Sequence, residues 1–322
     1  MTNIFSGTHY YDDAKNAKNK LHPLLVLLIF FLAFYAIQSI QSTVLLLCEF
    51  PMFMEHIGTL GEGPTAELIL SQIGVFLTNT PAEYVERSMV IQLFTTLIPA
   101  VLAIVYCRFI ERRSLRSMGF VKDKAAVKYL LGMGMGLAAF SAALLIVVLT
   151  GNAEYAGMGT ISSPLMYILI CLGWIIQGAE EEIVCRGWLM CSLSARLPIW
   201  AAVLINSAFF SVMHLFNGGF SPLAALNILL VGIFLSLLAV RTGSIFASCA
   251  LHSVWNFVQG NLYGLPVSGM ATGSSVFRFE LSGSELWTGG QFGVESGLGA
   301  TIVSVVLIAL FLLLPTKKKA AE

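Results

Sequence analysis

Charged residues are scarce in this sequence. Only 11% of its 322 residues are Asp, Glu, Lys or Arg, whereas 57% are hydrophobic, and the mean hydropathy is +0.82. Soluble domains carry about 25% charged residues, so the composition excludes an ordinary soluble domain and predicts a membrane protein with several spans. The formal net charge is zero, and without a basic excess nothing indicates a nucleic-acid partner.

The sequence also lacks paired-cysteine motifs and a cleavable leader. The first apolar run begins at residue 23, is too long for the core of a signal peptide and has no small-residue cleavage site nearby, so we expect it to remain as a membrane helix. No two cysteines have CxxC spacing, and all lie in or beside apolar runs, which is typical of small core residues rather than disulfides or metal ligands. They are Cys48, Cys107, Cys171, Cys185, Cys191 and Cys249.

Long apolar windows are abundant. A helix that crosses a bilayer needs roughly 20 apolar residues, and the windows predict an all-α polytopic membrane protein with about eight transmembrane helices. The windows are 23–47, 88–107, 129–150, about 163–195, 197–216, 220–240, 242–263 and 297–315. The shorter segment 65–80 carries Glu67 and is expected to form an interfacial helix.

The basic residues are distributed asymmetrically between the predicted loops. With eight spans, all of the 18 lysines and arginines except Arg87, Arg186 and Arg278 fall on one side. Because Lys and Arg favour cytoplasmic loops, we expect both termini to lie in the cytoplasm. We expect the membrane to be the plasma membrane of a bacterium. A ninth span at 65–80 would move the basic loop 108–128 outside, which argues against it.

The stretch "WIIQGAEEEIVCRGWLM" (174–190) places four charges inside an apolar run. An ionisable group at the centre of a bilayer costs at least about 2.5–3.5 kcal/mol, so such residues indicate packing, transport or catalysis. Glu182 and Arg186 are four residues apart and can pair on one helical face. Glu181 lies about 100° around the helix from Glu182 and is therefore free to face a different environment.

Two further segments carry polar residues at a similar expected depth. Glu181 and His214 each lie about 15 residues from the cytoplasmic edge of their run, or roughly 22 Å along a helix. His252 lies about 11 residues from the cytoplasmic edge of its run, or roughly 16 Å along a helix. It shares a helical face with Asn256. We expect these side chains to converge, since a carboxylate and an imidazole can activate a water while a second imidazole and an amide stabilise an oxyanion.

A metal site is an open alternative for the same side chains. One Glu and two His could hold zinc, with water as the fourth ligand, which makes Glu181, His214 and His252 candidate metal ligands. The sequence contains none of the protease signatures HExxH, GxGD and GxSG.

Three motifs follow one another on successive apolar segments. Glu181–Arg186 (EEIVCR) has the pattern EExxxR, Phe210–His214 (FSVMH) the pattern FxxxH, and His252–Asn256 (HSVWN) the pattern HxxxN. In this order the chain resembles the CAAX-protease and bacteriocin-processing family of intramembrane endopeptidases, called CPBP or Abi. The resemblance covers about 165–262. Glu180 lengthens the acidic run, but only the register that begins at Glu181 gives EExxxR.

The resemblance implies an enzyme, a glutamate-type or metal-dependent intramembrane protease, with a role for each motif residue. Glu181 and His214 are expected to activate a water, and His252 and Asn256 to stabilise the oxyanion. Glu182 and Arg186 are expected to support the site, with Phe210 packing beside His214. The implied cofactor is either zinc or none. The implied partners are a peptide or membrane-protein substrate and the lipid bilayer.

The resemblance also divides the chain. The predicted parts are a cytoplasmic tail 1–22, accessory helices 23–160, a catalytic core 161–263, an external loop 264–296, and a last helix with a basic cytoplasmic tail 297–322.

Non-enzymatic functions remain as alternatives. Glu and His residues within the membrane also form the proton relays of transporters, and a family member without activity could act as a scaffold or bacteriocin-immunity protein. A haem protein with His214 and His252 as axial ligands would leave the glutamates unexplained.

Overall fold

The computed structural model describes residues 9–59, 63, 65–78 and 82–313. The chain is mostly helical. The α-helices are α1 His9–Lys15, α2 Pro23–Thr59, α3 Ala66–Thr78, α4 Ala82–Thr95, α5 Leu97–Val105, α6 Ala125–Leu149, α7 Pro164–Glu182, α8 Cys191–Ser194, α9 Ile199–Met213, α10 Pro222–Thr242, α11 Phe246–Phe257, α12 Glu285–Thr288 and α13 Leu298–Leu313. The basic tail Lys317–Lys319 lies outside the described residues.

Wider π-helical turns continue three of these helices, at Tyr106–Ile110, Ile183–Met190 and Val258–Leu262. The second of them follows Glu182 directly and carries Arg186, so it extends α7 into the buried interior. Such turns occur frequently at functional sites.

The helices agree only in part with the predicted spans. Each of the eight apolar windows contains a helix, and within the described residues four helical stretches are long and apolar enough to cross a membrane: Pro23–Thr59, Tyr84–Ile110, Ala125–Leu149 and Pro222–Thr242. Ile199–Met213 and Leu298–Leu313 are apolar but shorter. The protein is therefore a helical membrane protein, while the count of about eight spans is not confirmed.

A small β-ribbon departs from the prediction of an entirely helical chain. Strand β1 (Ala153–Met158) pairs antiparallel with β2 (Phe277–Leu281). Aromatic side chains on the two strands meet across the pair, with the Tyr155 ring centroid 5.6 Å from that of Phe279. Cross-strand aromatic pairs of this kind stabilise short ribbons, and the two partners are too far apart in sequence for the strands to be predicted as a hairpin.

Helix α11 packs closely between α6 and α7 because glycines face it. A Cβ atom at Gly136 of α6 would lie 2.5 Å from the carbonyl oxygen of Leu251, and one at Gly178 of α7 would lie 2.5 Å from Ser253 Oγ. Small residues at helix contacts let backbones approach in membrane proteins. The approach at Gly178 places the face of α11 that carries His252 directly beside the glutamates of α7.

A buried ion pair ties the loop after α5 to the π-helical turn at Ile183–Met190. Arg113 Nε donates to Glu111 Oε2 at 2.6 Å, and both side chains are almost fully buried. Ser192 Oγ donates to both Glu111 oxygens at 2.8 Å, and Arg113 also reaches the carbonyl of Gly187. Burial works to lower the pKa of Arg113, but Cys107 and Glu111 raise it overall, so this guanidinium stays charged and holds the loop.

Candidate active site

One cavity of about 100 Å³ collects residues from all three motif segments. Glu181 comes from α7, His214 from the end of α9, and His252 and Asn256 from α11. Phe210 also lines the cavity. The structure thus brings together the four side chains that the sequence predicts for water activation and oxyanion stabilisation. Glu182 and Arg186 lie behind them and do not line the cavity.

Glu182 and Arg186 form a fully buried ion pair. Arg186 Nη1 donates to Glu182 Oε1 at 2.8 Å, and neither side chain is exposed to solvent. The guanidinium also donates to the Gly232 carbonyl at 2.9 Å and lies 4.6 Å above the Phe210 ring. Arg186 therefore links α7, α9 and α10, and Glu182 supplies the only carboxylate that contacts it among the described residues.

His252 lies between the two glutamates. Its Nδ1 is 3.1 Å from Glu182 Oε1, and its Nε2 is 3.5 Å from Glu181 Oε2. Because a carboxylate oxygen accepts hydrogen bonds, Nδ1 carries the hydrogen in this contact. Glu182 thus fixes the orientation of the imidazole and directs Nε2 towards the cavity, as a second partner commonly does for a functional histidine.

Gln177 connects Glu181 to Asn256. Its Nε2 donates to Glu181 Oε1 at 2.6 Å, and its Oε1 accepts from Asn256 Nδ2 at 2.8 Å. Glu181 Oε2 is buried and has no hydrogen bond to any described residue. One carboxylate oxygen is therefore held by an amide, while the other, 3.5 Å from His252 Nε2, can still accept a hydrogen bond from a group inside the cavity, such as a water.

His214 directly follows α9, and its side chain lines the cavity. Its Nδ1 lies 2.8 Å from the carbonyl oxygen of Phe210. A carbonyl cannot donate, so Nδ1 carries the hydrogen, and the Nε2 of neutral His214 has a lone pair that can accept a proton. The Phe210 ring meets the imidazoles of His214 and His252 edge to face, with centroids at 5.0 Å and 5.9 Å, and so separates and orients them.

The three candidate metal ligands do not form a coordination site in this arrangement. Glu181, His214 and His252 all line the cavity, but no three His, Cys, Asp or Glu side chains of the described residues are grouped so that they could hold a metal ion. The chemistry derived below therefore uses the side chains alone.

Sequence reasoning missed several residues of the cavity. Gln177 shares the α7 face with Glu181, four residues away, and this spacing is a signal that could have identified it. Glu295 and Ser268 come from the segment 264–296, which the sequence predicts only as an external loop, and both line the cavity. Burial raises the pKa of Glu295, against the opposing effects of hydrogen bonds from Ser268 and of positive charge on His252.

A second opening joins the cavity from the side of α2. This groove of about 200 Å³ shares Gln177, Glu181 and His214 with the cavity and extends along Phe30 and Phe34 of α2. Its lining includes Glu180, the first of the three consecutive glutamates, which is 7% exposed. Helix α2 thus forms one wall of a passage that leads towards Glu181 and His214.

One part of the chain matches a known protein family. Residues 163–258 match a family model described as "Rce1-like: Type II CAAX prenyl endopeptidase Rce1-like". The match contains Glu181, His214, His252 and Asn256 but covers less than a third of the 322 residues, and Glu295 lies outside it. No curated protein matches the chain.

Proposed function

Since residues 163–258 carry the sequence pattern of the Rce1-like type II CAAX prenyl endopeptidases, we propose that this protein is an intramembrane endopeptidase. The observation that supports the proposal most strongly is the convergence of Glu181, His214, His252 and Asn256 on one cavity. The family match supports proteolysis as the reaction class, and the proposal adds the roles of the individual side chains.

Glu181 and His214 activate the water that attacks the peptide bond. Glu181 Oε2, which accepts no hydrogen bond from a described residue, and His214 Nε2 belong to side chains that line the same cavity, and a water between them would donate to both. As the oxygen of this water bonds to the carbonyl carbon, its proton passes to one of these bases and then to the leaving amine. Positioned bases of this kind accelerate reactions by about 10²–10⁴-fold.

His252 and Asn256 stabilise the negative oxygen of the tetrahedral intermediate. Both line the cavity on the α11 side, where the imidazole is oriented by Glu182 and the amide by Gln177. Hydrogen-bond donors that are fixed before the reaction stabilise a developing oxyanion at little reorganisation cost. Protonated His252 donates through Nε2, and Asn256 donates through Nδ2.

The substrate enters from the membrane through the groove beside α2. The groove combines aromatic residues, Phe30 and Phe34, with the amide side chains of Gln38, Gln41 and Gln92. An apolar wall suits a membrane-embedded or lipid-modified segment, while the amides offer hydrogen bonds to an extended peptide backbone. The passage shares Glu181 and His214 with the cavity, so a chain lying in it reaches the proposed catalytic pair.

Cleavage by purified variants tests the proposal. Wild-type protein in detergent is compared with Glu181→Gln, His214→Ala and His252→Ala on a library of internally quenched peptides, and Glu285→Gln, an exposed carboxylate away from the cavity, is the control. We expect cleavage by the wild type and the control and a loss of at least about 100-fold in the other three. Equal cleavage by all five proteins would refute the peptidase and favour a non-catalytic membrane protein.

A further inference from the structure

Glu295 reaches the cavity from outside the segment that matches the family. It lies in the turn Val294–Ser296 just before α13 and lines the same cavity as Glu181, His214 and His252. The mechanism above gives it no task. The cavity therefore has a second carboxylate, which the matched segment 163–258 does not supply.

The position of Glu295 is fixed from two sides. Asn227 of α10 donates through Nδ2 to the carbonyl oxygens of Glu295 at 3.0 Å and of Gly297 at 2.8 Å. The backbone nitrogen and the hydroxyl of Ser268 both donate to Glu295 Oε1, at 2.6 Å and 2.9 Å. The backbone and one carboxylate oxygen are thus held by neighbouring segments, and the side chain has a defined direction.

The other carboxylate oxygen, Oε2, has no hydrogen-bond donor among the described residues. A glutamine could accept both Ser268 hydrogen bonds through its own Oε1, so anchoring the loop does not require a negative charge here. No lysine or arginine of the described residues pairs with this carboxylate, and the positive charge near it belongs to the His252 imidazole, which is already held by Glu182. Glu295 Oε2 is therefore available to a group that enters the cavity.

The charges around the cavity favour a cation. Its lining includes Glu181 and Glu295, and the adjoining groove adds Glu180. Among the described residues that line the cavity or the groove there is no lysine or arginine, and the imidazoles of His214 and His252 are the only groups able to carry positive charge. A substrate ammonium or guanidinium would be attracted to this lining, whereas a substrate carboxylate close to the scissile bond would be repelled.

We propose that Glu295 is a specificity-determining residue that binds a cationic group of the peptide substrate within a few residues of the scissile bond. The cation is an amine or guanidinium, carried by a Lys or Arg side chain or by a free amino terminus. This proposal rests on the proposed peptidase function. It also implies that a substrate with a free carboxylate at the same distance from the cut is disfavoured.

A matched peptide series tests the charge preference on the wild-type protein. Quenched peptides of one sequence carry Lys, Gln or Glu at each position flanking the cut, and a further pair has a free or an acetylated amino terminus. We expect kcat/KM to be about 10- to 100-fold higher for the best Lys peptide than for its Gln counterpart, the range of a charge-assisted hydrogen bond. A larger gain from the free amino terminus than from Lys would identify the terminus as the cation.

Glu295→Gln is the matching variant, since the amide keeps an acceptor for Ser268. We expect its Lys-to-Gln ratio of kcat/KM to fall towards one, while Glu285→Gln, an exposed carboxylate of the same loop, retains the wild-type ratio. A Glu295→Gln protein that keeps the preference, or a wild type that prefers the Glu peptide or shows no preference, would overturn the proposal. The wild-type series decides this even if the variant does not fold.

Binding measured without turnover separates the two proposals. Affinities of the same peptides are determined for Glu181→Gln protein with and without Glu295→Gln. Suppose that the wild type cleaves no peptide, but that Lys peptides bind more tightly than Gln peptides and lose this advantage in Glu295→Gln. The cation site is then supported and the proposed peptidase function is refuted. If peptides are cleaved and neither rate nor affinity depends on their charge, the peptidase stands and the role of Glu295 is refuted.

Discussion

Replacing Glu182 by glutamine should destabilise the protein as well as inactivate it. Glutamine keeps the shape of the side chain and an oxygen that accepts hydrogen bonds from Arg186 and His252, so the change removes mainly the negative charge. The remaining partners of Arg186 are neutral, the Gly232 carbonyl and the Ser236 hydroxyl. A fully buried guanidinium is then left without a counter-ion.

The expected magnitude follows from this burial. Removing one partner of a buried ion pair costs about 3–5 kcal/mol because the other charge stays uncompensated. The retained hydrogen bond places Glu182→Gln near the lower end of that range. For proteins of 150–250 residues each kcal/mol corresponds to about 2–4 °C in melting temperature, and we therefore expect a fall of at least about 5 °C.

Thermal unfolding in detergent, followed by tryptophan fluorescence, measures this effect. Glu181→Gln is the matched control, because Glu181 has no Lys or Arg partner within the described residues and its melting temperature should change by less than about 2 °C. The double variant Glu182→Gln/Arg186→Met removes both charges and should recover part of the loss, since a neutral pair strands no ion. An unchanged melting temperature for Glu182→Gln would refute the structural role of the pair.

Further predictions concern the cavity itself. Glu181→Gln should lower kcat by about 10²–10⁴-fold, and a full rate would exclude this carboxylate as the base. Gln177→Leu should lower kcat by about 10-fold with little change in KM, because it releases Glu181 and Asn256; a change in KM alone would instead indicate a binding role. Phe210→Ala should cost about 3–5 kcal/mol of stability, and a smaller loss in chemical denaturation would contradict its central packing. Cleavage should survive EDTA, and activity lost to the chelator and restored by zinc would contradict the metal-free mechanism.

The helical class and the convergence of the motif residues could be predicted from the sequence. Residues four apart on a helix share a face, so the partnership of Glu182 with Arg186 follows from spacing, and the structure places the two at 2.8 Å. The apolar windows predicted the helices, because a membrane helix satisfies its own backbone and needs only an apolar surface. The roles assigned to the cavity residues remain predictions.

The contribution of the segment 264–296 could not be predicted. Its composition is typical of a loop, and nothing local in the sequence shows that Glu295 returns to the cavity. Its position depends on long-range contacts, namely the hydrogen bonds of Asn227 to the backbone and of Ser268 to the carboxylate. The β-ribbon is similar, since Tyr155 and Phe279 meet only after the helices between them have packed.

The most direct test of the central claim is a double-variant cycle on Glu181 and His214. The rate of peptide cleavage is measured for the wild type, Glu181→Gln, His214→Ala and the combined variant. Each protein is assayed at the same number of degrees below its own melting temperature. If both side chains act on one water, the combined variant should be about as slow as the slower single variant, because groups that act as a unit are strongly non-additive. Losses that multiply, or a single variant with the wild-type rate, would contradict a shared water.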